Sequence, residues 1–458
     1  MPTVPVRVDP TVHLEEGFAA IRQQLAITAE FPPEVQAEAE EAAAHGPSIV
    51  ADADRRDTPF FTIDPPGSTD LDQAMFLERG PNGRGYVVHY AIADVAAFVR
   101  PGGALDAEAR KRAVTIYLPD GRVPLHPPVL SEGAASLLPD QERQALVWRI
   151  ALDGSAEPTD VSVQRARVRS RQRLTYAEAE PLELLREIGT LRQEREAERG
   201  GVSLPIPEQV AVEVGGKYDL AYRAPLPAEG WNAQISLLTG IAAAQLMLDA
   251  NVGVLRTLPP PSDDTIDQLR RRAGALGVEW PAVGGYQSVI RSLDPAIPRQ
   301  AALLSAAARL FRGAGYVAFE GTPPEGAARL HAGVAAPYAH VTAPLRRLVD
   351  RFGNEVVLAK GKPPAWATEA LHGLPALMAA GIQKENAANA MALDLVETAV
   401  LASRVGDVVE GVVTNITKEG AQVQVSEPAV VTVERGHHFD LGQELRLRVT
   451  GDGLDVVR

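Results

Sequence analysis

Thr62-Ile63-Asp64-Pro65-Pro66-Gly67-Ser68-Thr69-Asp70-Leu71-Asp72-Gln73 is the stretch from which this chain is best read. The apolar run before it ends as a strand at Asp64, and Pro-Pro-Gly then reverses the chain. Beyond the turn Asp70 and Asp72 lie two apart, so an extended backbone points both to one side. Three carboxylates converging this way repel one another unless a cation sits among them. Hard oxygen donors suit Mg2+, with Mn2+ as the other choice. Such an ion lowers the pKa of a bound water and neutralises a leaving oxygen, which are the requirements of phosphodiester hydrolysis. A solvated acidic turn and a calcium loop are the alternatives. The spacing lacks the D-x-D-x-D-G pattern and distal glutamate of an EF-hand.

Around this stretch, strand-like runs (Phe60–Ile63, Ala74–Leu77, Tyr86–Ile92, Val147–Ala151) give way to long helical runs (Ile235–Asp249, Gln300–Phe311, Pro344–Leu358, Pro375–Val400). That order predicts a mixed α/β, α+β domain with one large core over residues 57–402. The Pro- and Gly-rich stretches at 258–261 and 321–326 read as loops. Before it, residues 1–56 read as a helical module. His13 to Leu25 carries Leu14, Phe18, Ile21 and Leu25 near a helical stripe, and Pro33 sits where a second helix over Glu34 to Ala44 begins. A helix-turn-helix and an acidic arm packed on the main domain are both open. After the main domain, residues 403–458 change period: Val408, Val412, Val423, Val425, Val430 and Val433, then Leu445, Leu447 and Val449, alternate between turns. Five short strands here predict a small barrel of the OB type.

At 458 residues, 45% hydrophobic and 23% charged, the chain has the balance of a globular protein of two to four domains. It holds no cysteine, so there is no disulfide partner and no thiolate metal site, which suits a reducing compartment. No signal pattern opens it, and its greasiest window, Ile235 to Leu248, is broken by Ser236, Thr239 and Gln245. A soluble cytoplasmic monomer with no membrane contact is expected. The net charge of −14 argues against a nucleic-acid partner on average, but phosphates respond to local fields.

The positive residues are gathered in two places. Arg165, Arg167, Arg169, Arg171 and Arg173 alternate with other residues, so one extended face presents all five over about 26 Å. Tyr176 follows with a ring on which a base stacks. The other reading pairs these arginines with the acidic helix at 178–198. The second gathering is Tyr338-Ala339-His340-Val341-Thr342-Ala343-Pro344-Leu345-Arg346-Arg347-Leu348-Val349-Asp350-Arg351. Pro344 fits a first helical position, and Leu345, Leu348, Val349 and Phe352 make a buried stripe. Asp350, four residues on, is expected to hold Arg346 still as a phosphate clamp near the helix start. His340 either donates to phosphate or satisfies a buried group.

Together these blocks resemble the RNB catalytic domain of the ribonuclease II family. Thr62 to Gln73 is similar to its first motif, whose aspartates hold Mg2+. Ile92-Ala93-Asp94-Val95, Leu105-Asp106 and Ala109-Arg110 follow, then Tyr117-Leu118-Pro119 and Val123-Pro124-Leu125. Thr342 to Arg346 resembles T-S-P-I-R. The resemblance implies a hydrolytic 3′-to-5′ exoribonuclease that processively releases 5′-mononucleotides from single-stranded RNA; with the usual amino-terminal clamp missing, partly structured RNA is expected as a further substrate. It implies that Asp64, Asp70 and Asp72 hold the metal, with Gln73 supporting a water ligand, and that Arg346 contacts the scissile phosphate. Tyr117 and Tyr176 then hold the last bases, and the five arginines, His340, Thr342 and Arg347 complete the RNA-contacting set. Residues 403–458 are similar to the family's S1-like RNA-binding domain. The chain departs from the pattern at several points. Gln73 stands where a fourth aspartate is usual, and Ala343 replaces a serine. Asn232 to Ile241 offers no counterpart of the family's helix glutamate near the last sugar. No pairing aromatic stands near Val202–Pro205, Ala421 sits where a stacking aromatic is common, and 56 residues have no room for paired cold-shock domains. An RNA-binding regulator with lost catalysis is the alternative reading.

Overall fold

Apolar side chains on both faces of Tyr86–Ala93 and Glu142–Leu152 organise this computed structural model around one closed sheet. It describes residues 14–458 apart from 205–207, 215–216, 224, 282–284, 296, 403–404, 418–419, 426–430, 435–438, 441, 451–452 and 458. His13, Pro205 and Val430, which entered the readings above, lie outside the described residues.

The strands in chain order are β1 (Ala53–Asp54), β2 (Phe60–Ile63), β3 (Gln73–Arg79), β4 (Tyr86–Ala93), β5 (Ile116–Leu118), β6 (Gly121–Val123), β7 (Glu142–Leu152) and β8 (Pro158–Leu174). β5 and β6 form a separate hairpin. The main sheet runs β1-β8-β2-β3-β4-β7, and β7 pairs back onto β8. Closure is possible because β8 is 17 residues long. Its first part is antiparallel to β7, and its end is parallel to β2. Period-two alternation then splits the apolar residues between two cores. Tyr90, Ile92, Trp148 and Ile150 fall in one, with Leu238 and Phe352 from helices Pro227–Asp249 and Leu348–Leu358. Ala91, Ala93, Ala145 and Val147 fall in the other. Burial on both faces is why these strands read as near-continuous apolar runs. Helix Pro227–Asp249 lies close to the segment before Arg346. A Cβ on Gly240 would come within 2.1 Å of the Tyr338 ring, so this approach requires glycine.

The four strand readings fall inside observed strands. One helix does not begin where the sequence placed it. Pro344–Arg346 is a turn, Arg347 bridges to Val114, and the helix starts at Leu348. Leu345 N–H is taken by Asp72, and the Arg346 carbonyl accepts from Thr115 N–H. The Arg346 carbonyl, which a helix begun at Pro344 would offer to Asp350 N–H, is thus claimed by a tertiary partner, whereas Leu345 N–H would be an orphan donor in either case.

Helices Leu14–Leu25 and Pro33–His45 dock on other elements. The first lays Leu14, Phe18 and Ile21 on the long helix Leu374–Ala402. The second packs on helix Ala104–Arg112, where the Glu38 carboxylate accepts Ala104 N–H at 2.6 Å and Leu105 N–H at 3.2 Å. At the other end, strands Val431–Glu434, Gly420–Val425, Val408–Thr417, Glu444–Thr450 and Gly453–Val456 form an antiparallel sheet in that spatial order. No helix among the described residues is long and apolar enough to cross a membrane.

Candidate active site

Strand β2 ends at Ile63, and Asp64 N–H is pinned to the Leu174 carbonyl of β8 at 3.0 Å. The turn after it is closed by Ser68 N–H on the Pro65 carbonyl at 3.2 Å, with Gly67 at φ +83°, a conformation that suits glycine. Leu71 is fully buried and its N–H donates to Ser136 Oγ. This anchor fixes Asp70 and Asp72 on either side of it. Asp64, Asp70 and Asp72 line one cavity of about 400 Å³ together with Gln73, Tyr117, Tyr176 and Arg346.

Arg346 reaches this cavity from the turn before helix Leu348–Leu358. Its Nε lies 3.2 Å from Asp72 Oδ2, and its side chain is 46% exposed, which leaves donors free for a ligand. Asp350 does not hold it. That carboxylate is fully buried and accepts Ala343 N–H at 2.7 Å and both Arg347 Nε and Nη2, at 2.9 and 2.7 Å. The expected pairing at spacing four is replaced by one at spacing three because Arg346 is directed forward onto Asp72 while Arg347 meets Asp350.

The three carboxylates share the pocket but are not gathered. Among the described residues no group of three or more His, Asp or Glu side chains is placed to hold a metal ion. Asp70 is turned onto Arg122 Nη1 at 2.7 Å and Tyr117 Oη at 2.8 Å. Asp72 is turned onto Leu345 N–H at 2.7 Å and onto Arg346. Electrostatics nevertheless leave room for positive charge. Burial pushes the Asp64 carboxyl up to about 6, with the like charge of Asp70 adding and Arg346 opposing. Burial pushes Asp72 up to about 8 against the pull of Arg346 and Leu345 N–H. Asp64 Oδ2 is buried with no hydrogen-bond partner. Hard oxygen donors, an orphaned carboxylate oxygen and two carboxyls held up by burial fit a hard divalent cation.

Several predicted residues stand elsewhere. Arg165 is spent in a buried cluster, its Nε 2.9 Å from Asp94 Oδ2 and its Nη2 on Glu355. Arg167 is 53% exposed and pairs with Asp54, Arg171 donates to the Arg56 carbonyl, and Arg173 donates to the Ser68 carbonyl at the pocket. Arg169 has a buried Nε without a partner. A bulge in the pairing of Ser170 and Gln172 with β2 breaks the alternation, so the five arginines do not form one even face. The acids paired with them lie on other elements than the 178–198 helix. His340 Nδ1 contacts Tyr316 Oη at 2.7 Å, within an aromatic group that includes Tyr338. Thr342 is buried, its hydroxyl 2.9 Å from Ser236 Oγ. Arg347 is held by Asp350, and none of these three residues lines the cavity.

Arg122 was missed. It faces Tyr117 across the β5–β6 hairpin and bonds Asp70, Thr69 and, at 2.6 Å, Glu132. A basic residue opposite a tyrosine in a short hairpin was the available signal. Tyr338, Asn232 and Ser236, which also line the cavity, carried no spacing pattern that marked them.

The RNB domain profile matches residues 53–357 of the 458. The chain belongs to the RNB family. Among curated RNB relatives, Ribonuclease R of Thermotoga maritima is 26% identical over 459 aligned positions, covering 92% of this chain and 63% of that one. The chain spans from about a third to under two thirds of the length of curated relatives that it matches. Two solved structures share the RNB fold. Mycoplasma genitalium RNase R, solved with ribose-methylated single-stranded RNA, superposes with a TM-score of 0.84 at 19% identity. The match covers 97% of this chain and 78% of that one. Yeast Ssd1, a pseudonuclease, gives 0.75 at 16% identity, covering 98% and 58%.

Proposed function

We propose that this chain is a metal-dependent 3′-to-5′ exoribonuclease that hydrolyses single-stranded RNA to 5′-mononucleotides. The supporting observation is the single cavity shared by Asp64, Asp70, Asp72 and Arg346, with Tyr117 and Tyr176 on its walls. Tyr117 is 43% exposed, so a base can stack on its ring. Arg346 keeps donors for the oxygens of the scissile phosphate and for the charge that builds on them. Asp64, Asp70 and Asp72 would hold Mg2+ or Mn2+, which when bound supplies the charge that makes water a nucleophile at neutral pH. In the hydrolysis a water oxygen bonds to phosphorus and the P–O3′ bond breaks. One water proton ends on the departing 3′ oxygen of the shortened chain. Stacked bases and arginine contacts keep the strand bound between cycles, which favours processive removal. In this reading residues 57–402 do the chemistry, residues 1–56 brace them, and residues 403–458 grip RNA as an S1-like OB barrel.

Labelled poly(A) with Mg2+ tests this directly. Shortening to mononucleotides that EDTA abolishes is expected, and no shortening at any Mg2+ or Mn2+ concentration excludes the reading. Arg346→Ala should lower kcat by about 10²–10³-fold, the usual cost of one well-placed donor to developing charge. A loss under tenfold would remove Arg346 from the phosphate. Replacing Arg167 and Arg173 with Ala should reduce the salt slope of RNA binding by about 1.4, two single-strand phosphate contacts. An unchanged slope would place RNA on another path.

A second reading, an RNA-binding regulator without catalysis, draws on Gln73 in an acid's place and on Asp70 and Asp72 being engaged by protein cations. The poly(A) assay separates the two.

A further inference from the structure

The turn that carries Arg346 is fastened at successive peptide groups. The Val341 carbonyl accepts from Asn354 Nδ2 at 3.0 Å, and Ala343 N–H donates to Asp350. Both ties run back to the helix behind the turn, and Thr115 N–H on the Arg346 carbonyl ties its far end to the segment entering β5. Two further ties run forward to the carboxylate wall, from consecutive residues. Asp72 Oδ1 accepts Leu345 N–H, and Gln73 Nε2 donates to the Thr342 carbonyl.

These two ties differ in kind. Asp72 is a member of the proposed reaction site, so its carboxylate is shared between the turn, Arg346 and any ligand. Gln73 is uncharged, and its bond has one use. The partner is a carbonyl oxygen, which only a donor can satisfy. An aspartate or glutamate at 73 would set a carboxylate oxygen against it, and a buried acceptor facing an acceptor loses its bond and repels. Thr342 is 3% exposed, so water has little access to repair the loss.

We propose that Gln73 is a positioning residue: its carboxamide sets the spacing between the carboxylate strand and the Arg346 turn. The metal is left to the three aspartates. The catalytic consequence rests on the nuclease reading above; the strut itself does not. A ligand role for Gln73 is the competing assignment, and the two oppose each other on Gln73→Glu. A ligand role makes glutamate equal or better, because it adds negative charge toward the cation. A strut makes it worse.

The test uses full-length Gln73→Glu and Gln73→Met. Amide exchange across residues 340–347 of the RNA-free protein should rise about tenfold in both, as a segment freed from one tie opens more often. With RNA saturating, kcat should fall about tenfold or more and KM change little, since a small misplacement of a clamp acts on the reacting geometry. Mg2+ binding to Gln73→Met by calorimetry should match the wild type. In an Arg346→Ala background Gln73→Met should cost at most about twofold more, because residues acting through one another are not additive. Wild-type exchange in 340–347 overturns the proposal. So does a Gln73→Glu protein that keeps full turnover and binds Mg2+ more tightly, or a full additive loss without Arg346. If either variant fails to melt cooperatively, Gln73→Asn, which keeps the amide one methylene shorter, takes its place. If the wild type does not hydrolyse RNA, the nuclease reading falls and the exchange result alone judges the strut.

Discussion

Asp72→Asn is expected to lower RNA hydrolysis by about 10³-fold or more, several kcal/mol of transition-state stabilisation, while RNA binding persists. The carboxylate sits 3% exposed between the Leu345 amide and Arg346. Asparagine keeps an oxygen for the amide but removes the charge proposed to face the metal. Folding should not suffer. Burial holds this carboxyl up to about 8, so ionising it in place costs free energy that a neutral amide does not. The melting temperature should therefore match or exceed that of the wild type, the pattern of a residue kept for chemistry rather than stability. Turnover within tenfold of wild type, or a large drop in melting temperature with RNA binding lost, would move Asp72 from the reaction to the scaffold.

Asp106→Ala is expected to destabilise the main domain by about 3–5 kcal/mol, because it leaves the Arg351 charge buried without its partner. Arg351 is 1% exposed, its Nη1 lies 2.6 Å from Asp106 Oδ1 and its Nη2 donates to the Val99 carbonyl. Asp106 is held below the usual carboxylate range because Arg351, Gly102 N–H and Arg110 outweigh the opposing effect of burial. Replacing both partners, Asp106→Leu with Arg351→Met, should recover part of the loss, since no charge is then stranded. The pair joins helix Ala104–Arg112 to helix Leu348–Leu358, the helix whose Asp350 pins the Arg346 turn. Activity should thus fall with stability. Urea unfolding of the two proteins decides it: a single-variant shift under 1 kcal/mol would mean the pair contributes little.

Local patterns were legible where one physical rule acts alone. The near-continuous apolar runs Tyr86–Ile92 and Val147–Ala151 read as strands because both lie in a sheet buried on two faces. The Leu14, Phe18, Ile21 stripe found its helix because one face is covered by helix Leu374–Ala402. The same approach failed at Pro344. Proline at a first helical position is a local preference, whereas the Arg346 carbonyl, which a helix would offer to its own chain, was claimed by Thr115 N–H from a distant part of the sequence. It failed again along Arg165–Arg173, where even spacing implied one face and the bulge against β2 broke it.

From its sequence alone this protein has its residue types and their order: the Asp64–Asp72 turn, the arginine pair at 346 and 347, the tyrosines at 117 and 176, and the mixed α/β class. Those follow from backbone geometry and side-chain chemistry, which act over a few residues. Which arginine faces the pocket, which is buried against Asp350, that Arg165 serves the core and that Gln73 meets a carbonyl were decided by tertiary structure. A charge or amide takes its role from the partner and the solvent it meets after folding, and spacing along the chain holds no record of either.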